Sequence, residues 1–300
     1  MRLGIDCGGT NVKAGVYDEA CNVIAFDEIS LMDISEQTGV VQGLIETMGS
    51  YFKDHKIDRA GLAVKGLVDR KTGRTINDIG AGNVFADTNM KELLEKEFNV
   101  PFVIENDARA YAYGEYKFGA GKGYSSVVVM TLGTGLGCSA IINDELYYSS
   151  DPLSGVLGGH LSIDRNGPEC PCGNKGCLEL YCSATALIKI VKERHPEFVK
   201  ENDPLPRFFN SARYVDDYKS TLDEFNENLA VGVVNVIHAY GPEAVVLGGG
   251  VLNSYKMIIP AVQKIVDHAA WTYPKGKIKI FPSVLGNKAA SMGVAFLEQF

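Results

Sequence analysis

Long hydrophobic runs are missing from this sequence. Nowhere do apolar residues approach the roughly 18 in a row that a membrane-spanning helix needs. The opening MRLGIDCGGT lacks the apolar core and small-residue cleavage site of a secretory leader. An excess of positive charge is missing too: Lys and Arg number 29 against 37 Asp and Glu, a formal net charge of −8. No general affinity for nucleic acid or an anionic membrane is expected of such a chain. There is no low-complexity tract and no short-period repeat. Together these absences lead to the expectation of a cytoplasmic protein with neither membrane nor nucleic acid as a partner.

Cysteine is present, but its pattern argues against a disulfide framework. The count is seven, an odd number, in a chain without a leader. Cys7, Cys21 and Cys138 are scattered through apolar segments and read as small buried hydrophobes. Cys170, Cys172, Cys177 and Cys182 crowd together instead, and His160 precedes them with the spacing H-x9-C-x-C-x4-C. Three thiolates and an imidazole make a complete tetrahedral set, with no coordination position left open for chemistry. A closed structural Zn²⁺ site is therefore expected, with Gly173 and Gly176 shaping its turn. Cys182 competes with His160 as fourth ligand, because four cysteines are equally good chemistry.

The bulk of the chain is ordinary for a globular protein, 46% apolar and 22% charged over 300 residues, a length that favours two lobes. Periodicity predicts strands over 2–7, 11–17 and 23–29, a helix over 40–52, a strand over 61–64, a helix over 90–98, a strand over 101–105 and a helix over 107–118. A second series follows: strands over 125–132, 137–142 and 145–148, helices over 184–194 and 222–240, a buried strand over 244–247, and helices over 258–270 and 289–300. The polar, proline-bearing stretch 196–217 reads as a surface excursion. The fold class is α/β.

Both halves open in the same way, with a strand, a glycine turn and a strand, which suggests a duplicated phosphate-binding device. In Asp6-Cys7-Gly8-Gly9-Thr10 the glycines let backbone N–H groups approach phosphate oxygens, and Thr10 adds a hydroxyl. Phosphate would repel Asp6 unless Mg²⁺ lay between them, so Asp6 reads as an outer-shell magnesium partner. Thr131-Leu132-Gly133-Thr134-Gly135 repeats the device, and Gly248-Gly249-Gly250 ends a strand before a helix, where a nucleotide-facing turn belongs. Two other motifs fail. Gly119-Ala120-Gly121-Lys122-Gly123 has Tyr116 and Gly123 where a Walker A loop needs Gly and Ser or Thr. Gly8-Gly9 leads into a strand, whereas a dinucleotide-binding turn leads into a helix. Glu105-Asn106-Asp107 marks a strand-to-helix junction; it reads either as a helix cap or as a ligand grip.

The segments DCGGTNVKAGV, IENDARAYAYGE, TLGTGLG and GHLSIDRNGPECPCGNKGCLE resemble the ROK family of repressors and sugar kinases. The resemblance implies the two-lobed ATPase fold shared by actin, hexokinase and Hsp70. A small lobe would span 1–117 with the closing helix 289–300 packed back on it, and a large lobe would span 118–288 with the zinc loop 160–177. It implies a kinase moving the γ-phosphoryl group of ATP, with Mg²⁺, to a hydroxyl of a hexose or hexose derivative, the 6-hydroxyl by expectation. Asp107 is then the catalytic base, and Gly66, Asn106, Asp107, His160 and Glu179 bind the sugar. His160 also completes the zinc site. Asp6, Gly8, Gly9, Thr10, Thr131, Gly133, Thr134, Gly135, Gly248, Gly249 and Gly250 serve the nucleotide, with Lys13 in a supporting role, and Glu115 is structural. A homodimer is the family expectation.

One departure matters. Leu157 stands where the family's run before the histidine carries a sugar-binding glutamate, so glucose or N-acetylmannosamine does not follow as substrate, and Leu157 is expected to pack against an apolar part of the true one. Lys65 stands where proline is common. Around Thr72-Gly73 and Gly80-Ala81 the sequence is more similar to β-glucoside and N-acetylmannosamine kinases than to glucokinases. The family's regulators carry an N-terminal DNA-binding domain; this sequence opens directly on the phosphate loop, so a kinase is expected rather than a sensor. A binding protein with little catalysis is the remaining alternative.

Overall fold

The computed structural model describes all residues except 37, 70, 77–84, 86–87, 150–157 and 299–300. The chain divides into two compact units: Met1–Lys122 with Leu146–Val156 and Leu285–Phe300, and Gly123–Glu145 with Leu157–Val284. No helix among the described residues is long and apolar enough to cross a membrane.

The first unit is built on β1 (Arg2–Cys7), β2 (Asn11–Tyr17), β3 (Val23–Ser30), β4 (Arg59–Val64) and β7 (Phe102–Asn106), in the order β3-β2-β1-β4-β7. The β1–β2 pair is an antiparallel hairpin with Asp6 opposite Lys13, while β1–β4 and β4–β7 are parallel. A short β5 (Leu67–Asp69) and β6 (Arg74–Ile76) form a separate ribbon. Helices α1 (Leu31–Ser35), α2 (Val40–Asp54), α3 (Met90–Phe98) and α4 (Asp107–Phe118) complete the layers. The central strands are apolar on both faces, as parallel strands covered on both sides must be: Leu3, Ile5, Leu62 and Val64 are fully buried.

The second unit repeats the plan. Strands β8 (Val127–Leu132), β9 (Leu136–Ile142), β10 (Glu145–Leu146), β11 (Ala244–Gly248) and β12 (Lys279–Pro282) run in the order β10-β9-β8-β11-β12. Again a hairpin, β8–β9, stands beside two parallel neighbours. Helices α5 (Glu179–Cys182), α6 (Ala184–Arg194), α7 (Leu205–Ser211), α8 (Asp216–Tyr240) and α9 (Tyr255–Ala269) belong to this unit. Duplication of the α/β lobe is thus visible strand for strand.

Three local expectations are corrected. Residues 196–217 are not an excursion: Phe198, Phe208 and Phe209 are buried and pack with His195 and Tyr218 in an aromatic cluster. Aromatic rings spaced among polar residues leave no amphipathic period, which hid α7. The strand expected over 145–148 stops at Leu146, because the chain there turns back to the first unit. The closing helix, α10 (Ala289–Phe296), ends before 300.

Helix α10 belongs to the first unit, and Ala289 through Ala295 are all buried. It lies so close to its neighbours that backbone meets backbone. A Cβ on Gly4 of β1 would sit 1.8 Å from the Ser291 carbonyl oxygen, one on Gly61 of β4 2.4 Å from that of Val294, and one on Gly114 of α4 2.1 Å from that of Ala289. From the other side, a Cβ on Gly293 would sit 1.8 Å from the Ala110 carbonyl oxygen. Gly49 of α2, by contrast, has open space. One substitution on two helices should therefore change stability in opposite directions. Gly49→Ala should raise it by about 0.5–1 kcal/mol through helix propensity. Gly114→Ala should lower it by about 1–3 kcal/mol through overpacking against a carbonyl that cannot yield. Chemical denaturation of both variants checks the pair.

Candidate active site and metal centre

In the first unit the strand-to-helix junction after β7 carries the candidate base. Asn106 caps α4, its side-chain oxygen accepting from the Arg109 amide at 3.1 Å. Its amide nitrogen donates to the Gly66 carbonyl at 3.1 Å and to Asp107 Oδ1 at 3.0 Å. Asp107 Oδ1 also accepts from the Ala108 amide at 2.8 Å. Gly66 holds φ +95°, which only glycine adopts without strain, and so turns its carbonyl toward Asn106. Asn106 and Gly66 act here as one clamp on the Asp107 carboxylate. Loss of water around Asp107 pushes its carboxyl up to about 6, and the charge of Asp6 adds to this; the Ala108 amide and Lys65 oppose it.

Asp6, the penultimate residue of β1, is buried, with Lys13 Nζ at 3.5 Å across the hairpin. Burial raises its carboxyl, and Lys13 pulls it back. The buried Cys7 thiol is pushed up to about 12, which keeps it protonated and inert.

Beneath this junction lies a network that periodicity and motif reading missed. Glu105 is 1% exposed and Arg109 is 4% exposed. Glu105 Oε1 accepts from the Asn106 amide at 2.7 Å and from Arg109 Nη1 at 3.3 Å, and Oε2 accepts from the Tyr148 hydroxyl at 2.9 Å. The Arg109 guanidinium also lies 5.5 Å from the centre of the Tyr148 ring. Glu105 and Arg109 are one helical turn apart and could have been paired by eye. Tyr148 could not, since it returns from a distant part of the chain.

In the second unit Thr131 lies near the end of β8, the β8–β9 turn carries Gly133, Thr134 and Gly135, and β11 ends at the Gly248-Gly249-Gly250 run. These glycines sort into two kinds. A Cβ on Gly249, at φ +87°, would sit 2.5 Å from the Leu132 carbonyl oxygen, and one on Gly135 would sit 2.5 Å from Glu179 Oε2. Those two are required by packing. Gly133 and Gly250 have nothing within 4 Å, and the same holds for Gly9 in the first unit. No internal contact explains the missing side chain at these three. Gly8 and Thr10 are tied into the β1–β2 turn: the Gly8 amide donates to the Asn11 carbonyl at 3.0 Å, and the Thr10 carbonyl accepts from the Leu31 amide at 2.8 Å.

Glu179 opens α5, and its Oε2 accepts from the Leu136 amide at 2.8 Å. The Gly133 carbonyl accepts from the Ala184 amide at 2.7 Å and the Thr134 carbonyl from the Thr185 hydroxyl at 2.8 Å. The β8–β9 turn is therefore bound to the helices that follow the cysteine loop. In that loop the donor atoms of His160, Cys170, Cys172 and Cys177 all lie within 4.8 Å of one another, with His160 Nδ1 3.6 Å from Cys170 Sγ and Cys172 Sγ 3.6 Å from Cys177 Sγ. Gly176 must be glycine, since at φ +60° its Cβ would meet the Asp164 carbonyl at 1.8 Å. Cys182 lies apart, buried with its sulfur 4.0 Å from the Phe225 carbonyl. Leu157, Gly80 and Ala81 lie outside the described residues.

The chain matches the ROK family over residues 2–299. It belongs to that family. It is 31% identical to the xylose repressor of Bacillus subtilis, over 98% of this chain and 75% of that protein. It is 29% identical to the glucokinase of Streptomyces coelicolor, over 100% of this chain and 98% of that one. Among solved structures, a ROK family glucokinase from Streptomyces griseus, in complex with glucose and AMPPNP, is similar with a TM-score of 0.83 and 26% identity, covering 98% of this chain and 97% of that one. The fold of this ROK chain is the actin-like ATPase fold.

The two kinds of glycine should separate on substitution. Gly249→Ala forces a side chain into left-handed backbone against a carbonyl and should lower Tm by several degrees. Gly133→Ala should leave Tm within about a degree of the parent, because its Cβ enters open space. Differential scanning fluorimetry on the two variants decides the assignment.

Proposed function

We propose that this ROK protein is an ATP-dependent sugar kinase in which Asp107 takes the proton from the accepting hydroxyl. The observation that carries this reading is Asp107 itself. Its carboxylate stands at the carboxyl end of a parallel strand, where α/β sheets hold ligands. It is clamped by Asn106 and the Ala108 amide and is poised at about 6, where a general base works near neutral pH. The glucokinase relatives and the glucokinase structure with glucose and AMPPNP support the same reading. Transfer to a hydroxyl asks the protein for in-line positioning, charge neutralisation and a proton acceptor. Asp107 supplies the last, with the 6-hydroxyl of a hexose or hexose derivative as acceptor. Asp6, the three open glycines Gly9, Gly133 and Gly250, and the hydroxyls of Thr10, Thr131 and Thr134 serve the nucleotide and its Mg²⁺, which neutralises phosphate charge when bound. Gly66, Asn106, His160 and Glu179 serve the sugar.

The cysteine loop fits Zn²⁺. Its donor set is three sulfurs and one imidazole nitrogen, close enough together for a tetrahedral ion at roughly 2.0–2.3 Å from each. Zinc there stabilises the fold and leaves no position for substrate.

The xylose repressor relative favours a second reading, a sugar sensor with little turnover. A coupled ADP-release assay over a panel of hexoses and derivatives separates the two. The kinase reading expects sugar-dependent ADP release; sugar binding without it would establish the sensor.

Asp107→Asn should cut kcat by about 10²–10⁴-fold. In the parent, kcat/KM should fall about tenfold per pH unit below pH 6, because the base must be charged. The same residue also affects stability, with a definite sign. A carboxyl raised above its ordinary 3.8 binds its proton more tightly when folded, so folding pays a penalty that is absent below that pH and complete above about 6. Asp107→Asn should therefore raise Tm at pH 7.5, and the gain should vanish near pH 4. Rates within a few-fold of the parent would show that Asp107 is not the base, and an unchanged Tm at pH 7.5 would show that it is not desolvated.

Elemental analysis of the purified protein should find one zinc per chain. Cys172→Ser should lose it and lower Tm, while Cys182→Ser should keep it; full metal occupancy in His160→Ala together with its loss in Cys182→Ser would instead make Cys182 the fourth ligand.

A further inference from the structure

The strand order of the first unit puts a lysine between the glycine turn of β1 and the candidate base. In the order β3-β2-β1-β4-β7, β4 lies between β1 and β7, and both of these run parallel to it. The register aligns Cys7 with Val64 and Val64 with Asn106. One residue beyond each of these stand Gly8, Lys65 and Asp107, at the carboxyl edge of the sheet where α/β proteins hold ligands. The Lys65-Gly66 turn is fastened to the junction after β7, since the Asn106 amide nitrogen donates to the Gly66 carbonyl at 3.1 Å. Lys65 therefore has the Gly8-Gly9 turn in register on one side and Asp107 on the other.

The Lys65 ammonium is uncommitted. Lys65 is exposed, and among the described residues it has no hydrogen-bond or ion-pair partner. The other cation at this edge, Lys13, is held by Asp6 at 3.5 Å. Lys65 is still near enough to Asp107 for its charge to oppose the rise of that carboxyl. Most exposed lysines are solvated charges and nothing more. Lys65 differs from them by its address, next to a carboxylate that it does not pair with and in line with a turn whose Gly9 faces open space. A compact charge with three donors on a flexible stem suits phosphate oxygens.

We propose that Lys65 is a catalytic residue that meets the γ-phosphoryl group of ATP as it passes to the sugar, a role that rests on the kinase reading above. In that step the sugar hydroxyl oxygen forms a bond to the γ-phosphorus, and the bond from that phosphorus to the β–γ bridging oxygen breaks. The bridging oxygen keeps the electron pair and leaves with ADP, while the hydroxyl proton goes to Asp107. Lys65 keeps its own proton throughout and neutralises charge on the oxygens in transfer.

The test is Lys65→Met in the whole chain, with Lys71→Met as a control that removes another exposed charge from the same unit. Calorimetry in the presence of Mg²⁺ measures binding of AMPPNP and of ADP. Lys65→Met should weaken AMPPNP about fivefold or more and leave ADP within about twofold of the parent, because only AMPPNP carries a γ-phosphoryl group. Its kcat should fall about tenfold or more with KM for the sugar little changed, and Lys65→Arg should recover part of the loss. Lys71→Met should match the parent in both measurements. An unchanged AMPPNP-to-ADP ratio in Lys65→Met would overturn the proposal. So would equal losses for the two nucleotides, or the same losses in Lys71→Met, since either would report only the general field of the protein. A loss confined to KM for sugars bearing a carboxylate or phosphate would overturn it too, by placing the ammonium on the acceptor. If the parent binds AMPPNP but releases no ADP with any sugar, the kinase reading fails, while the AMPPNP-to-ADP ratio still decides the contact. A parent that bound neither nucleotide would overturn both.

Discussion

Backbone packed against backbone without intervening side chains is the constraint on which the first unit depends. Helix α10 reaches β1 through Gly4, β4 through Gly61 and α4 through Gly114, with its own Gly293 completing the seam. Carbonyls at those distances cannot rotate away as side chains do, so the relative positions of the three elements are set tightly. Those elements lead into the candidate site residues: Asp6 is the penultimate residue of β1, β4 ends at Val64 just before Gly66, and α4 begins at Asp107. A segment from the far end of the chain thereby fixes the spacing between the Asp6 carboxylate and the candidate base Asp107.

The site also illustrates how function is maintained against stability. Asp6 and Asp107 are two carboxylates deprived of water, and each raises the cost of the other's charge. Glu105 and Arg109, an ion pair buried directly below, add desolvation that a pair of apolar residues would avoid. What the arrangement provides is position. Glu105 holds the Asn106 amide, Asn106 holds Asp107, and Tyr148 holds Glu105, so the Asp107 carboxylate is aimed by a chain of hydrogen bonds. In the second unit Glu179 has the corresponding role, tying the β8–β9 turn to the helices beyond the cysteine loop.

Much of this was legible in the amino-acid sequence because it is local. A strand, a glycine turn and a strand announce themselves by alternation and by residues that permit tight turns, and they do so twice here. Cysteines at short spacing declare a metal site because ligands for one ion must sit within a few ångströms. The Asn106-Asp107 junction was readable as a cap, and its chemical meaning came from the family resemblance. The aromatic helix α7 was not legible, since rings buried in several directions show no single face.

The sequence by itself determined the α/β class, the paired strand–glycine turn–strand openings and the spacing of the cysteine loop, because each depends on neighbours within a few residues. The tertiary structure brought His160, which the family resemblance had already named, to the three cysteines and left Cys182 apart. It alone showed which glycines face open space and which face a carbonyl, and it alone brought Tyr148 to Glu105 and Leu285 to Glu115. The physical reason is the same in each case. Such contacts are paid for by closing long loops, and their partners are selected by packing that no local pattern records.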